Sequence, residues 1–308
     1  MSAIIQQGNS RYIYLQTRGQ WYVLDQFATP LGAGAIGIVF PGWNYYTNER
    51  VAIKMVKPEY SNIPQVRDRA RAEAQMTFLH PNIVRMLGIC EYKNSVGPIF
   101  VLSEFVSGLN LDVFCKSYLS QYDEVSRIIK IILFSISVLD ALQYVHSAGV
   151  IHRDVKPSNI MVTFNGVPKL MDLGIAGFEN SDEFSEKGFI GTSLYAAPEL
   201  INGGVVDQRT DLYAMGVTMF EVMTGYNPYD RPSQSEILDA HLSDDLPVVS
   251  VIPRKLMEIL LKATHRNKSR RFNTASDFAE NLKQFLNSYV SNPINYSSGR
   301  LSGNENRW

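Results

Sequence analysis

Apolar and polar positions alternate along the first third of the chain. The stretches WYVLD, GIVF and RVAIKMV, between about residues 20 and 55, are separated by turns rich in Gly and Asn, so we predict strands there. IVRMLGICEYK and PIFVLSEFV predict two more strands. A helical period over residues 64–79, with Pro64 near its start, predicts one helix between the two groups.

From about residue 109 onward the apolar positions follow the period of helices. The helices that we predict span 125–147, 207–224, 234–242, 253–264 and 275–289. Short β-like pieces lie within 159–172. The sequence therefore indicates a small strand-rich lobe followed by a larger helical lobe, an α+β architecture. The stretch 291–308, rich in Asn, Ser and Gly, predicts a disordered tail.

Composition narrows the class of protein. Apolar residues make up 45% and charged residues 19%, which is ordinary for a globular chain, and the net charge of −1 does not suggest a nucleic-acid partner. Cys90 and Cys115 lie far apart without metal-ligand spacing, so we expect buried thiols in a reducing compartment. Lys130 and Asp140 interrupt the apolar run 128–145, which predicts a core helix, and the first residues have no apolar signal core. We predict a cytoplasmic protein without a membrane partner.

LGAGAIGIVF places Gly32, Gly34 and Gly37 in a GxGxxG pattern. Glycines let a backbone approach phosphates closely, although a plain hairpin turn would also explain them. A dinucleotide-binding fold needs a helix straight after the last glycine. Here a β-like stretch with Pro41 follows, so the pattern favours a strand, a glycine turn and a second strand lying over a nucleotide.

Lys54 ends the strand-like VAIK and shares a face with Ala52, whose small apolar side chain argues against a purely solvated face. Glu73 follows on the predicted helix, and an ion pair between the two could hold the lysine against phosphate oxygens. An ordinary surface glutamate remains the alternative.

IHRDVKPSN concentrates charge between apolar flanks, which fits either a solvated turn or a substrate site. Asp154 and Asn159 lie in it, and Asp172 follows in KLMDLGIA. Two carboxylates and an amide are hard oxygen ligands, which Mg²⁺ prefers. One carboxylate and the amide could hold a metal bound to phosphates, and the other carboxylate could accept a hydroxyl proton. Lys156 could neutralise the phosphate that is transferred.

Taken together, these motifs resemble the signature set of the protein kinases. GAGAIGIV, VAIK, Glu73, IHRDVKPSN, MDLG and AAPE occur in the family's order. The resemblance implies a two-lobed α+β fold, with a small antiparallel sheet and one main helix before a mostly helical lobe. We expect an N-terminal extension over 1–21 and a kinase domain over 22–290, with its N-lobe at about 22–104 and its C-lobe at about 107–290.

The resemblance also implies a role for each matched position. ATP and Mg²⁺ would be the cofactors. The positions that would contact ATP through its phosphates, adenine face or adenine edge are Gly32, Gly34, Gly37, Val39, Ala52, Lys54, Glu104, Val106 and Met161. Glu73 would pair with Lys54. Asp154 would be the catalytic base, and Asn159 and Asp172 would bind the metal.

Two residues resemble the Ser/Thr-specific members of the family. Lys156 has the identity usual in Ser/Thr enzymes, and Thr192 in GTSLYAAPE resembles the threonine that contacts the catalytic aspartate and lysine. The implied partner is a protein with a Ser or Thr acceptor. Glu199 would pair with Arg271, and Asp211 would brace the catalytic loop through backbone N–H groups.

Arg153 resembles the arginine that docks a phosphate on the activation segment. Ser181 and Ser185 are the candidate phosphosites, and self-association would serve trans-autophosphorylation. Glu183 or Glu186 could instead supply the negative charge.

Three positions depart from the family pattern. Leu173 replaces the Phe of DFG, and we expect it to fill the same apolar slot. Glu73 and Pro81 are eight residues apart, fewer than is usual in the family, so we expect a shorter helix end or following turn. Thr77 would stand at the stacking position one turn after Glu73, which predicts weaker packing of that helix. Ser103 before the hinge predicts a back pocket open to bulky adenine analogues. The alternatives are a pseudokinase that only binds ATP and, with less support, a small-molecule kinase, which would lack AAPE.

Overall fold

The computed structural model of the chain describes residues 3–5, 10–91, 97–173 and 193–291. A strand-rich lobe is followed by a helical lobe, as the hydrophobic pattern predicts.

The N-terminal lobe is an eight-stranded sheet in which every pair of neighbouring strands is antiparallel. Its main path runs β1-β2-β3-β5-β6-β8-β7, and β4 pairs with β5. The strands are β1 Ala3–Ile5, β2 Tyr12–Thr17, β3 Gln20–Asp25, β4 Gly32–Ala33, β5 Gly37–Asn44, β6 Arg50–Val56, β7 Met86–Glu91 and β8 Ile99–Glu104.

The sheet buries both of its faces. Val51 and Ile53 of β6 join a core on the face that also carries Leu15 and Leu24. Alternate residues, such as Val56, point to the opposite face and pack against a helix. Ala52 and Lys54 also lie on this second face, because successive strand residues alternate. The face that Lys54 shares with Ala52 is thus covered by other parts of the protein, as predicted, and is not a purely solvated face.

The stretch 1–21, expected as an extension, supplies strands to this sheet. Leu15 of β2 is fully buried. The sheet curls so that β2 meets β7: the Cys90 thiol donates to the carbonyl of Gln16 at 3.3 Å. Gly88 of β7 has φ +146°, and a Cβ there would lie 2.3 Å from Oγ1 of Thr17. The hairpin β2–β3 is therefore packed tightly against the far edge of the sheet.

Helix α2 packs on the second face of the sheet. The helices of the described residues are α1 Pro58–Ser61, α2 Pro64–Gln75, α3 Leu111–Ser117, α4 Glu124–Ser147, α5 Pro198–Ile201, α6 Gln208–Thr224, α7 Gln234–Ser243, α8 Arg254–Ala263 and α9 Ala275–Ser291. Short 3₁₀ turns span Leu119–Gln121, Pro157–Asn159 and Lys268–Arg270. A second, three-stranded sheet consists of β9 Gly108–Asn110, β10 Ile160–Thr163 and β11 Pro168–Leu170.

Helix α2 ends at Gln75, earlier than the predicted residue 79, because the chain leaves the helical conformation at Met76, where the N–H of Thr77 donates to the carbonyl of Gln75 at 2.9 Å. The prediction that Thr77 stands at the stacking position of this helix was wrong, since Thr77 lies beyond the helix and is exposed. Met76 and Phe78, on either side of it, pack against the core of the helical lobe instead. The two apolar residues are thus turned toward the core and the threonine between them toward solvent.

Helix α4 is the core helix of the larger lobe. Asp123 caps its start by accepting from the N–H of Ser126. By length and hydropathy alone it could cross a membrane, yet half of its apolar stretch is buried inside the lobe, with Val138 and Leu142 at 0% exposure. Helix α6 lies beside it, capped by Asp207 and ended by Gly225 in the left-handed conformation. These two helices support the loop that contains IHRDVKPSN.

Both cysteines are free and buried, as predicted. Burial raises the pKa of the Cys90 and Cys115 thiols to about 12. Ser291 of the predicted tail belongs to helix α9, and residues 292–308 lie outside the described residues.

Candidate active site

A buried carboxylate holds the loop that contains IHRDVKPSN. Asp211 of α6 is 0% exposed and accepts from the backbone N–H of His152 at 2.9 Å and of Arg153 at 2.7 Å. Nε2 of His146, at the end of α4, lies 2.6 Å from the same carboxylate. The predicted bracing by Asp211 is confirmed. Arg153 has φ +64°, an uncommon conformation for a residue with a side chain, and this bond helps to hold it.

Two other side chains of the loop contact Asp154. The amide nitrogen of Asn159 donates to Oδ2 of Asp154 at 2.7 Å and to its backbone carbonyl at 2.8 Å. Nζ of Lys156 lies 2.8 Å from Oδ1 of Asp154. The carboxylate is therefore held from two sides. Because the nitrogen of the Asn159 amide is occupied by Asp154, its oxygen is the end that remains for a ligand.

Lys54 lies between two carboxylates, one from its own lobe and one from the other lobe. Its Nζ lies 3.4 Å from Glu73 of α2 and 3.6 Å from Asp172. Burial by itself lowers the pKa of Lys54, but the charges of the two carboxylates outweigh it, so the pKa lies above its ordinary value. Burial raises the pKa of Glu73, and Lys54 opposes part of that rise. The lysine is thus a fixed cation between the lobes.

Asp172 follows β11 with φ +59°. The preceding Met171 is fixed on both sides: its N–H donates to the carbonyl of Asn159 at 3.0 Å, and its carbonyl lies 2.9 Å from Nε2 of His152. The next residue, Leu173, is 4% exposed in the core of the larger lobe, so it fills an apolar slot as predicted. This local turn carries the Asp172 side chain toward Lys54.

The glycine-rich turn lies over strand β6. Gly37 passes so close to it that a Cβ would meet the carbonyl of Met55 at 3.0 Å. Gly32 and Gly34 differ, because a Cβ at Gly32 would meet nothing within 4 Å and one at Gly34 only the Gly37 carbonyl at 3.9 Å. Close packing against β6 therefore explains why a glycine is needed at position 37. No such packing explains Gly32 and Gly34, which lie beside open space.

A family model described as the protein kinase domain matches residues 26–290. This chain belongs to the protein kinase family. The match spans both lobes and includes every motif from the glycine turn to AAPE, so the resemblance based on those motifs is confirmed.

Curated relatives are bacterial Ser/Thr kinases. The chain is 32% identical over 276 residues to a probable serine/threonine-protein kinase PknB of Corynebacterium glutamicum, covering 85% of this chain and 42% of the relative. It is 33% identical over 259 residues to PknD of Mycobacterium tuberculosis, covering 81% and 38%. It is 28% identical over 265 residues to PrkC of Bacillus subtilis, covering 84% and 40%. The chain thus spans about two fifths of the length of these relatives.

The kinase motifs define the wall where adenine is expected. Val39 of β5 is paired with Lys54, and Ala52 of β6 is paired with Ser103 of β8. All of these side chains except that of Lys54 are small or apolar, and all are half-buried. On the other lobe, Met161 of β10 is also half-buried. Each lobe therefore contributes half-buried side chains at the positions predicted to contact adenine.

The segment that joins the lobes begins at Glu104. Its side chain accepts from Nζ of Lys169 at 2.7 Å, and its N–H donates to the carbonyl of Arg85 at 2.9 Å. Val106, two residues later, is buried. The ion pair between Glu104 and Lys169, which sequence reasoning missed, ties this hinge to β11 of the larger lobe.

A second buried ion pair supports the AAPE motif. Arg271 binds Glu199 through two bonds of 2.7 and 2.9 Å, and Thr210 adds a third at 2.8 Å. Burial raises the pKa of Glu199, but these partners outweigh it, so the pKa lies below its ordinary value. The predicted pairing of the two residues is confirmed.

Sequence reasoning missed the groups that hold helix α2. Arg67 and Arg71 both bind Glu91 of β7, at 2.9 and 2.7 Å. Their spacing of four residues on one helix face was a usable signal, but their common partner emerges only from the fold. Thr192 and the two candidate phosphosites, Ser181 and Ser185, lie outside the described residues.

Proposed function

We propose that this chain is a protein kinase that transfers the γ-phosphate of ATP, with Mg²⁺, to Ser or Thr hydroxyls of proteins. The observation that carries the proposal is the convergence of Lys54, Glu73 and Asp172, together with the held carboxylate of Asp154. The two sets of side chains are linked through the backbone, because the N–H of Met171, next to Asp172, donates to the carbonyl of Asn159 at 3.0 Å. Phosphoryl transfer requires a fixed cation, metal ligands and an oriented acceptor, and these four groups with Asn159 can provide all three.

The residues present fit a magnesium ion shared with phosphates. Within the described ranges, no group of three or more His, Cys, Asp or Glu side chains is arranged to hold a metal by itself. Mg²⁺ usually takes one or two protein carboxylates and completes its shell with phosphate oxygens and water. Asp172 and the amide oxygen of Asn159 are the donors that would hold it. When bound, the ion would neutralise charge on the phosphates.

The chain's own residues divide the remaining tasks. The open backbone at Gly32 and Gly34 leaves room for phosphates to approach, and Lys54 offers its ammonium to them. Asp154 would orient the Ser or Thr hydroxyl and accept its proton. Lys156, 2.8 Å from Asp154, would place a second positive charge beside the phosphate that moves.

The Ser/Thr preference rests on Lys156 and on Thr192. The names of the curated relatives support it, since each is called a serine/threonine-protein kinase. We infer that Arg153 receives a phosphate on Ser181 or Ser185 and that two copies of the chain phosphorylate each other. A cytoplasmic location is part of the same proposal, supported by the two free thiols.

The test is transfer from γ-labelled ATP with Mg²⁺ to a generic Ser/Thr substrate and to the protein itself, with labelled sites mapped by mass spectrometry. Asp154→Asn is expected to reduce kcat by about 10²–10⁴ with little change in ATP affinity. Asp239→Asn, which changes an exposed carboxylate, serves as the matched control. Tight ATP binding without transfer in the wild type would contradict the proposal and favour a pseudokinase.

A further inference from the structure

Arg18 lies at the tip of the β2–β3 hairpin. In the chain it precedes residues 26–290, which match the kinase family model. The tip is a two-residue turn in which Arg18 has φ +48° and Gly19 has φ +77°. Two positive φ values are the requirement of the tight turn that suits a twisted hairpin. Arginine is not a residue that such a turn favours, so local conformation does not explain its presence.

The guanidinium of Arg18 reaches the end of helix α2. Its Nη2 donates to the carbonyl of Ala74 at 2.8 Å, and its Nη1 donates to the carbonyl of Met86 at 3.3 Å. The last carbonyls of a helix have no partner within the helix, and a positive charge there also complements the helix dipole. The last turn of α2 carries no basic residue of its own. Arg18 therefore caps this helix from the hairpin.

The capped residue is adjacent to the site. Ala74 directly follows Glu73, whose carboxylate is the partner of Lys54. Met86, the second acceptor, opens β7 and is paired with Ser103. One arginine thus fixes the end of α2 to the first residue of β7, next to the wall expected to contact adenine.

The position of Arg18 is itself tightly determined. Thr17, the residue before it, is 4% exposed and lies against Gly88, where no Cβ would fit. Leu15 is fully buried in the core of the sheet. One turn before Ala74 in α2, Arg71 binds Glu91, which belongs to the same strand β7 as Met86. The helix is therefore anchored to β7 in its middle by Glu91 and at its end by Arg18.

We propose that Arg18 is a positioning residue of this kinase: by capping α2 it keeps Glu73 within reach of Lys54. The N-terminal hairpin is then part of the active unit. The inference rests on the proposed function, because it takes Lys54 to bind the phosphates of ATP.

The experiment is a double-mutant cycle of Arg18→Ala with Glu73→Gln, measured as kcat/KM for ATP and as affinity for a non-hydrolysable ATP analogue. Arg18→Ala alone is expected to lower kcat/KM by about tenfold, the effect of losing charged hydrogen bonds at a helix end. In the Glu73→Gln background the same change should have an effect below about twofold, because the contact through which Arg18 acts is already lost.

Two further variants separate positioning from folding. Arg18→Lys keeps the charge and can reach one carbonyl, so it should recover part of the activity. Arg11→Ala removes another arginine near the same hairpin, one that binds Asp25 and not α2, and should match the wild type. Melting temperatures of all variants show whether the fold is retained.

Full additivity of the two changes, or an Arg18→Ala variant that behaves like Arg11→Ala, would overturn the inference. A wild type that transfers no phosphate would instead refute the proposed function. In that case the affinity for the ATP analogue alone would be compared across the cycle. Additive effects of Arg18→Ala and Glu73→Gln on this affinity would contradict a positioning role of Arg18, and non-additive effects would support it.

Discussion

Replacing Asp211 by Asn removes one charge and one acceptor oxygen from a buried position that holds the catalytic loop. The carboxylate accepts from the N–H of Arg153 on one oxygen and from His152 and His146 on the other. An amide has only one oxygen. In its best orientation that oxygen keeps the contacts with His152 and His146, and the NH₂ group then points toward the N–H of Arg153. That N–H then faces a donor beside a fully buried side chain.

The cost follows from these contacts. A hydrogen bond to a charged acceptor contributes about 1.5–3 kcal/mol, and a buried donor left unpaired costs about 1–3 kcal/mol. We expect Asp211→Asn to lower the free energy of unfolding by about 2–4 kcal/mol, which leaves most domains folded. The effect on catalysis should exceed the effect on the folded fraction, because Arg153, at φ +64°, can relax and displace Asp154. A displacement of about 1 Å can reduce kcat by about 100-fold.

Urea denaturation gives the free energy of unfolding, and steady-state phosphate transfer gives kcat and KM. Asp239→Asn is again the control for a change of charge at an exposed position. A loss of stability with unchanged kcat would refute the reasoning, since it would mean that Asp211 stabilises the fold without positioning the loop. A change below about 0.5 kcal/mol, the usual size for surface substitutions, would refute the hydrogen-bond argument.

Three further outcomes are expected. Asp172→Ala should abolish Mg²⁺-dependent nucleotide binding in calorimetry, and affinity equal to the wild type would show that the residue is not a metal ligand. Ser103→Met should weaken binding of bulky adenine analogues but not of ATP. Equal binding of the analogues to the variant and the wild type would refute the predicted back pocket. Burial lowers the pKa of His241 to about 4. The unfolded chain therefore takes up a proton first as pH falls, so the free energy of unfolding should drop by about 2 kcal/mol from pH 7 to 5, and His241→Gln should lose that slope in urea titrations.

Much of the site was predictable because short stretches carry their own geometry. The alternation in VAIK places Lys54 on the same side of the strand as Ala52, whichever strands lie next to it. In the structure both are half-buried and lie on the face of the sheet that packs against α2. Asp154 and Asn159 are five residues apart on one tight loop, so their contact at 2.7 Å needs little from the rest of the fold. The order of the motifs then identified the family.

The length and packing of helix α2 were less accessible. A polar residue one turn after Glu73 suggested a weak contact with the core, but the helix stops at Gln75 and Thr77, beyond its end, faces solvent. Helix ends depend on what caps the last carbonyls. Here Arg18, from a different element, donates to one of them.

The sequence by itself determined which side chains could perform phosphate chemistry and which local elements carry them. Periodicity and turn residues express preferences among neighbours along the chain, and those preferences are local. Only the tertiary structure decided that Arg67 and Arg71 meet at Glu91 and that Arg18 reaches Ala74. Such contacts depend on how a sheet curls and how helices pack. Packing joins residues that are far apart in the chain, and no short stretch of sequence records it.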